Sequence, residues 1–156
     1  MRRQDRAVTE TAEIESILRS ADVCHVGMVD GGVPYVVPVN FAYADRCVYF
    51  HSARDGKKVS ILKENPRVFL EAVTEFTLVP GDQACKWGAT FESVMASGLA
   101  SFVDDPAEKR RALTLIMTRY GGDGEWTYPD QMVDRTLIVK IDIQEMTGKR
   151  AAPRKA

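Results

Sequence analysis

Apolar residues recur at Ile14, Ile17, Leu18 and Ala21, the i, i+3, i+4, i+7 spacing of one helical stripe. The pattern predicts a helix ending near Ala21, with Thr9 as N-cap and with Glu10 and Glu13 in the first turn, where acids suit the dipole. The period then falls from 3.6 to 2. VCHVGMVD (23–30), VPYVVPVNFAY (33–43) and CVYFHS (47–52) are rich in β-branched and aromatic residues and predict three strands. Asp30-Gly31-Gly32 joins the first two, and glycine accepts the positive φ that a tight hairpin demands. GKKVSILKENP (56–66) predicts a short helix stopped by Asn65-Pro66. RVFLEAVTEFTLV (67–79) predicts a long strand or a hairpin, PGDQACKWG (80–88) a loop, and ATFESVMASGLASFV (89–103) a strand with Gly98 at a bulge or bend. Asp105-Pro106-Ala107-Glu108 spells a helix start, with an acidic N-cap, proline where no N–H is needed, and glutamate to complete a capping box. Leu113, Ile116, Met117 and Tyr120 form that helix's stripe, and Gly121-Gly122 ends it. DGEWTYPDQM (123–132) reads as a polar, aromatic loop. RTLIVKIDIQEMTGK (135–149) is a last strand, alternating Leu137, Val139, Ile141 and Ile143 against Lys140, Asp142 and Gln144.

Successive strands on short turns make an antiparallel meander, and many strands with few helices predict a mainly β (α+β) fold, an antiparallel barrel with flanking helices. Residues 1–150 read as one domain and 151–156 as a disordered tail. Two features break the regular pattern. Pro34 and Pro38 interrupt the second strand, so part of its backbone faces a sheet edge, a bulge or a ligand. Segments 23–29 and 35–41 are apolar on both faces, so one face fills the barrel and the other needs a helix or a partner chain.

Composition narrows the function more than it names it. The 156 residues are 45% hydrophobic and 28% charged, which suits a folded domain and excludes a disordered or fibrous chain. A net charge of -1 removes the electrostatic footprint of a nucleic-acid binder. No apolar run approaches membrane-spanning length, and the N-terminus has no apolar signal core, so a cytoplasmic location and no membrane partner are expected. Cys24, Cys47 and Cys85 are widely spaced in apolar or strand-like stretches and are expected to be buried reduced thiols. Two histidines, His25 and His51, are too few for a His-rich metal site.

YFHSARDGKKVSIL (49–62) carries the chemistry. A strand ends at His51-Ser52, a turn follows, and Lys57 and Lys58 open a helix whose free N–H groups and dipole attract an anion. Ser52, Arg54, Lys57 and Lys58 are donors suited to phosphate. A solvated basic turn explains the same residues equally well.

The ordered set MRRQDR, PYVVPVNFAY, YFHSARDGKK, LKENPRV, ACKWGATFESVMASG and IDIQEMTGK resembles the FMN-binding split-barrel superfamily, which includes pyridoxamine 5'-phosphate oxidase. It is most similar to the nitroimidazole-resistance (Nim) flavoprotein branch. The resemblance covers nearly the whole chain and implies an FMN-dependent oxidoreductase passing electrons to a small planar acceptor, a nitro-aromatic or quinone. Ser52, Lys57 and Lys58 match the segment that holds the FMN phosphate. Pro38, Val39, Asn40 and Phe41 match the strand bordering the flavin ring, Phe50, His51 and Ser52 the wall of the same cleft, and Ser93 the partner strand that approaches the flavin. A homodimer with flavin between subunits is implied. The chain ends in Arg150 and AAPRKA without the basic-aromatic groups of the oxidase proper, which argues against oxidation of pyridoxine phosphates.

Other readings stay open. His51 is a proton donor or a hydrogen-bonded wall residue. His25 reads as structural, Cys85 as inert, and Trp87 as a cover for the flavin or filler of a dimer seam. Trp126 and Tyr128 lie in a loop that a cleft closure would use. A non-catalytic flavin carrier, and a haem-binding split barrel with His25 or His51 as axial ligand, are the alternatives.

Overall fold

The computed structural model describes residues 4–152. A short 3-10 turn, Gln4–Arg6, leads into β1 (Ala7–Val8) and α1 (Thr11–Ser20). Then follow β2 (Cys24–Asp30), β3 (Val33–Val39), β4 (Ala42–Ala44), β5 (Cys47–Ser52), α2 (Lys57–Glu64), β6 (Arg67–Val79), β7 (Gly88–Val103), α3 (Pro106–Gly121), α4 (Asp130–Arg135) and β8 (Leu137–Ala151).

The strands form one antiparallel sheet in the order β3-β2-β6-β7-β8-β5-β4, with β1 added along β8. β3 and β4 stand at opposite ends of that order, yet only Asn40 and Phe41 separate them in sequence. The sheet must therefore curl until its edges meet, and they meet without pairing: a split β-barrel. Val26, Leu70, Val94, Val139 and Ile141 fill its interior, and α1 adds Ile14, Ile17 and Leu18. A second, smaller cluster holds α3 against β5 and β8 through Ala112, Tyr49, Val103 and Ile138.

Pro34 and Pro38 sit on β3, which among the described residues pairs only with β2, so their missing N–H groups cost no ladder bond on the open edge. Residues 67–79 form one strand. Glu75, with φ of 51°, marks a bulge where the register to β7 shifts between Thr74 and Thr77. Gly98 lies beside another shift, but the extra residue, Gln144, is on β8. Gly98 is needed because a Cβ there would meet the Asp142 carbonyl oxygen at 2.7 Å.

Several expectations are corrected. Thr9 is not the cap of α1: Glu10 holds that position, with no side-chain bond to the helix. The 33–43 strand breaks at Asn40–Phe41, because the Phe41 N–H donates to the Tyr120 hydroxyl instead of a strand. Part of the 123–132 loop is helical, since α4 starts at Asp130. Six residues are too few to hold a helix alone; Val133 is buried, and the Lys109 ammonium donates to the Val133 and Thr136 carbonyls at its C-terminal end. Asp105 does cap α3, accepting from the Glu108 N–H at 2.7 Å. Cys24 and Cys47 are buried, but Cys85 is exposed on the β6–β7 connection. Ala151 belongs to β8, Ala152 follows it exposed and outside the strand, and the remaining residues of the expected tail, 153–156, lie outside the described residues. No helix among the described residues is long and apolar enough to cross a membrane.

Candidate functional site: an anion cradle at the start of α2

β5 delivers His51 and Ser52 to one end of the sheet, where Ser52 pairs with Leu137. The chain turns through Gly56, whose φ of 127° is open to glycine alone, and enters α2. The first helical bond runs from the Ser60 N–H to the Gly56 carbonyl at 3.1 Å. No side chain among the described residues caps α2, which leaves its first N–H groups open to a ligand.

The two lysines differ. Lys57 is exposed; it pairs with Asp30 at 3.0 Å and lies over the Tyr35 ring at 4.9 Å. Lys58 is half-buried, with its ammonium 5.0 Å from the centre of the Phe50 ring. No carboxylate among the described residues pairs with it, and burial pushes its pKa below the ordinary lysine value. A partly desolvated cation beside an uncapped helix N-terminus is a place made for an anion. Arg54 turns away, donating to the Asp134 carbonyl at 2.6 Å.

Strand alternation separates residues that adjoin in sequence. His51 is exposed, whereas Phe50 points into the core and meets the site only through the ring face beneath Lys58. On the β3–β4 crossing, Pro38 and Asn40 are exposed while Val39 and Phe41 are buried. The Phe41 N–H is committed to the Tyr120 hydroxyl at 3.0 Å, which itself donates to the Asp22 carbonyl at 2.7 Å. Ser93 is buried on β7 opposite Val73, level with the start of β2, whereas Lys57 pairs with Asp30 at its end. One chain therefore leaves Ser93 about 20 Å, the length of β2, from the lysines. His25 is exposed, with Nδ1 3.1 Å from Glu71. Burial pushes the Cys24 thiol up to about 12 and raises Cys47 as well, so neither is a nucleophile near neutrality.

Asp30, Tyr35 and Tyr120 also take part, though the sequence marked Asp30 only as a turn residue and Tyr120 only as part of an apolar helical stripe. Nothing local gives them these roles: Asp30 and Tyr35 meet Lys57 only where α2 packs against the β2–β3 hairpin, and Tyr120 meets the Phe41 N–H only where α3 docks.

A family model described as pyridoxamine 5'-phosphate oxidase matches residues 10–150. Among solved structures, a candidate 5-nitroimidazole antibiotic resistance protein from Bacteroides thetaiotaomicron is 37% identical, with a TM-score of 0.83 over 92% of this chain and 86% of its own. A flavocytochrome from Azotobacter vinelandii is 24% identical, with a TM-score of 0.83 over 97% of this chain and 72% of its own. An FAD- and haem-binding protein from Mycobacterium smegmatis is 15% identical, with a TM-score of 0.85 over 97% and 77%. The last two share the fold. No curated protein matches.

Proposed function

This chain belongs to the pyridoxamine 5'-phosphate oxidase-like family, and from that premise we propose that it is an FMN-dependent oxidoreductase that reduces a small planar acceptor such as a nitro-aromatic. The observation that carries the reading is Lys58, a half-buried ammonium without a carboxylate partner among the described residues, at the open end of α2. A phosphate fits there: it would accept from the α2 N–H groups, Lys58 and the Ser52 hydroxyl. Lys57 joins by releasing Asp30, an exposed ion pair of the kind that contributes at most about 1 kcal/mol.

The free edge of β3 around Pro38, Val39 and Asn40 would border the flavin ring; Phe41 serves from behind, with its N–H held by Tyr120. When bound, flavin supplies the electron transfer, and the protein supplies binding, orientation and electrostatics. His51, exposed beside Ser52, would hold the proton handed to the acceptor. Ser93 would come from a partner subunit. The exposed apolar face of β3, β2, β6 and β7 supports that homodimer, with Val36, Phe69 and Met95 on it. The name carried by the Bacteroides relative supports the choice of a nitro-aromatic acceptor. Free thiols at Cys24, Cys47 and Cys85 fit a reducing cytoplasm.

The test is the absorbance spectrum of the purified protein before and after addition of FMN, FAD and haem. Flavin bands, with saturable FMN uptake and turnover of a nitro-aromatic by a chemical reductant, are expected. A Soret band without flavin binding overturns the reading in favour of haem. Flavin uptake without turnover of nitro-aromatics or quinones leaves a carrier.

A further inference from the structure

A cleft of about 420 Å³ lies between the end of α1, β4 and one face of α3. It is across β5 from the anion cradle: Lys58 covers Phe50, whereas Arg111 lies over the ring of Tyr49, its neighbour on the strand's opposite face. α3 turns Arg111, Thr114, Leu115, Thr118 and Arg119 toward the cleft, the i, i+3, i+4, i+7, i+8 stripe. A stripe used for packing would be apolar and filled. α3 packs instead through buried Lys109, Ala112 and Ile116, and the cleft-facing stripe is left open with two arginines and two threonines. Phe41, Ala42 and Tyr43 form the opposing apolar wall.

Three guanidinium groups reach this space. Arg19 lies over the Tyr43 ring and pairs with Glu15, which also accepts from the Tyr43 hydroxyl. Arg111 pairs with Asp45 and donates to the Tyr49 hydroxyl. Arg119 donates to the Ser20 carbonyl and Asp22. Asp22 and Asp45 are 87% and 76% exposed, so these pairs are solvent-screened and yield readily. Each guanidinium keeps further donors. The Nε–H of Arg119 is shielded from solvent and has no acceptor among the described residues.

We propose that this cleft binds a small organic anion, an aromatic or short branched carboxylate, with its body on Phe41, Tyr43 and Leu115 and its carboxylate on the arginines. The size suits such a ligand, and pockets of this type pair an apolar wall with a few placed polar groups. Arginine offers a planar fork that matches a carboxylate. The inference is independent of the flavin reading.

The probe is 2-naphthoate, titrated calorimetrically into the full-length protein, with uncharged 2-naphthamide as control. Saturable binding of the acid is expected, with the amide at least about tenfold weaker, a difference of about 1.4 kcal/mol. Arg111→Gln should weaken the acid by about tenfold or more through the lost charge-assisted bonds. Thr118→Trp, at an exposed helical position, should abolish binding by filling the cleft while keeping every charge. Neither variant should change FMN uptake. Equal binding of acid and amide, no saturation by about 10 mM acid, where a Kd even of about 1 mM would show, or unchanged binding in Thr118→Trp each overturns the proposal. Loss of naphthoate binding in Lys58→Ala, with displacement by FMN, also overturns it, by moving the acid to the cradle.

Discussion

Lys57 and Lys58 adjoin in sequence and both open α2, yet they meet different surroundings. Lys57 already has Asp30 as a partner, whereas Lys58, among the described residues, has only the Phe50 ring. Lys58→Ala should therefore cost FMN more than Lys57→Ala does. A well-formed charge-assisted bond contributes about 1.5–3 kcal/mol, so the Lys58 variant should lose roughly tenfold or more in FMN affinity. Riboflavin, which lacks the phosphate, should be nearly unaffected; equal losses for both ligands would contradict a phosphate cradle. The lowered pKa of Lys58 adds a pH signature. Folding desolvates this cation, so the unfolded chain binds its proton more tightly. Stability of the ligand-free protein should thus rise with pH between the lowered value and the ordinary lysine value. FMN affinity should move the other way, falling as pH climbs through the lowered pKa of Lys58, while riboflavin affinity does not follow. Thermal melts and fluorescence titrations across alkaline pH check both slopes.

At the scale of elements, β8 is the spine: β1, β7 and β5 all pair with it. Gly148 lies where β8 passes under β1 and α1, and a Cβ there would meet Val8 and Ile14 at 2.9 Å. Gly148→Ala should overpack that junction and destabilise by about 1–3 kcal/mol. For a domain of this size that lowers the melting midpoint by very roughly 2–10 °C. The α2 cradle is remote from this junction, although Gly148 pairs with Val94 beside Ser93, so the preference of the folded variant for FMN over riboflavin, set by the phosphate contacts, should match wild type. A melt and parallel FMN and riboflavin titrations on the same sample separate the two effects. α3 works differently, tying distant segments together: Arg119 and Tyr120 bind residues 20–22, and Tyr120 also takes the Phe41 N–H. That clasp fixes the crossing between the two edge strands.

On the scale of the whole molecule, the proposed homodimer rests on the outer sheet face. Val36, Gly27, Phe69 and Ser97 stand in one cross-strand row, and Val36 and Phe69 are 58% and 53% exposed. Gly27 has no room to spare, since a Cβ would stand 3.3 Å from the Phe69 carbonyl oxygen. Contiguous exposed apolar surface of this kind marks an interface. Phe69→Asp should convert the proposed homodimer to monomer in sedimentation at micromolar concentration. FMN affinity should fall with it, because the proposal brings Ser93 to the ring only across that interface. A variant that stays dimeric would move the interface elsewhere.

Much of this was legible along the chain. The strand periods, the Asp30-Gly31-Gly32 turn, the Asp105 start of α3 and the strand-turn-helix at 49–62 all rest on properties expressed within a few residues: alternation, φ preference and capping. The two prolines of β3 announced backbone that could not be fully paired, but whether that meant a sheet edge, a bulge or a ligand depended on where β3 fell in the sheet. α4 was illegible because its stability comes from buried Val133 and from Lys109, on another helix. The same holds for the division of labour between Lys57 and Lys58, for the exposure of Cys85, and for the separation of Ser93 from the cradle. A sequence fixes what each residue offers over one turn or one pleat. Which charge is paired and which serine lies within reach follow only from how strands far apart in sequence come to lie side by side.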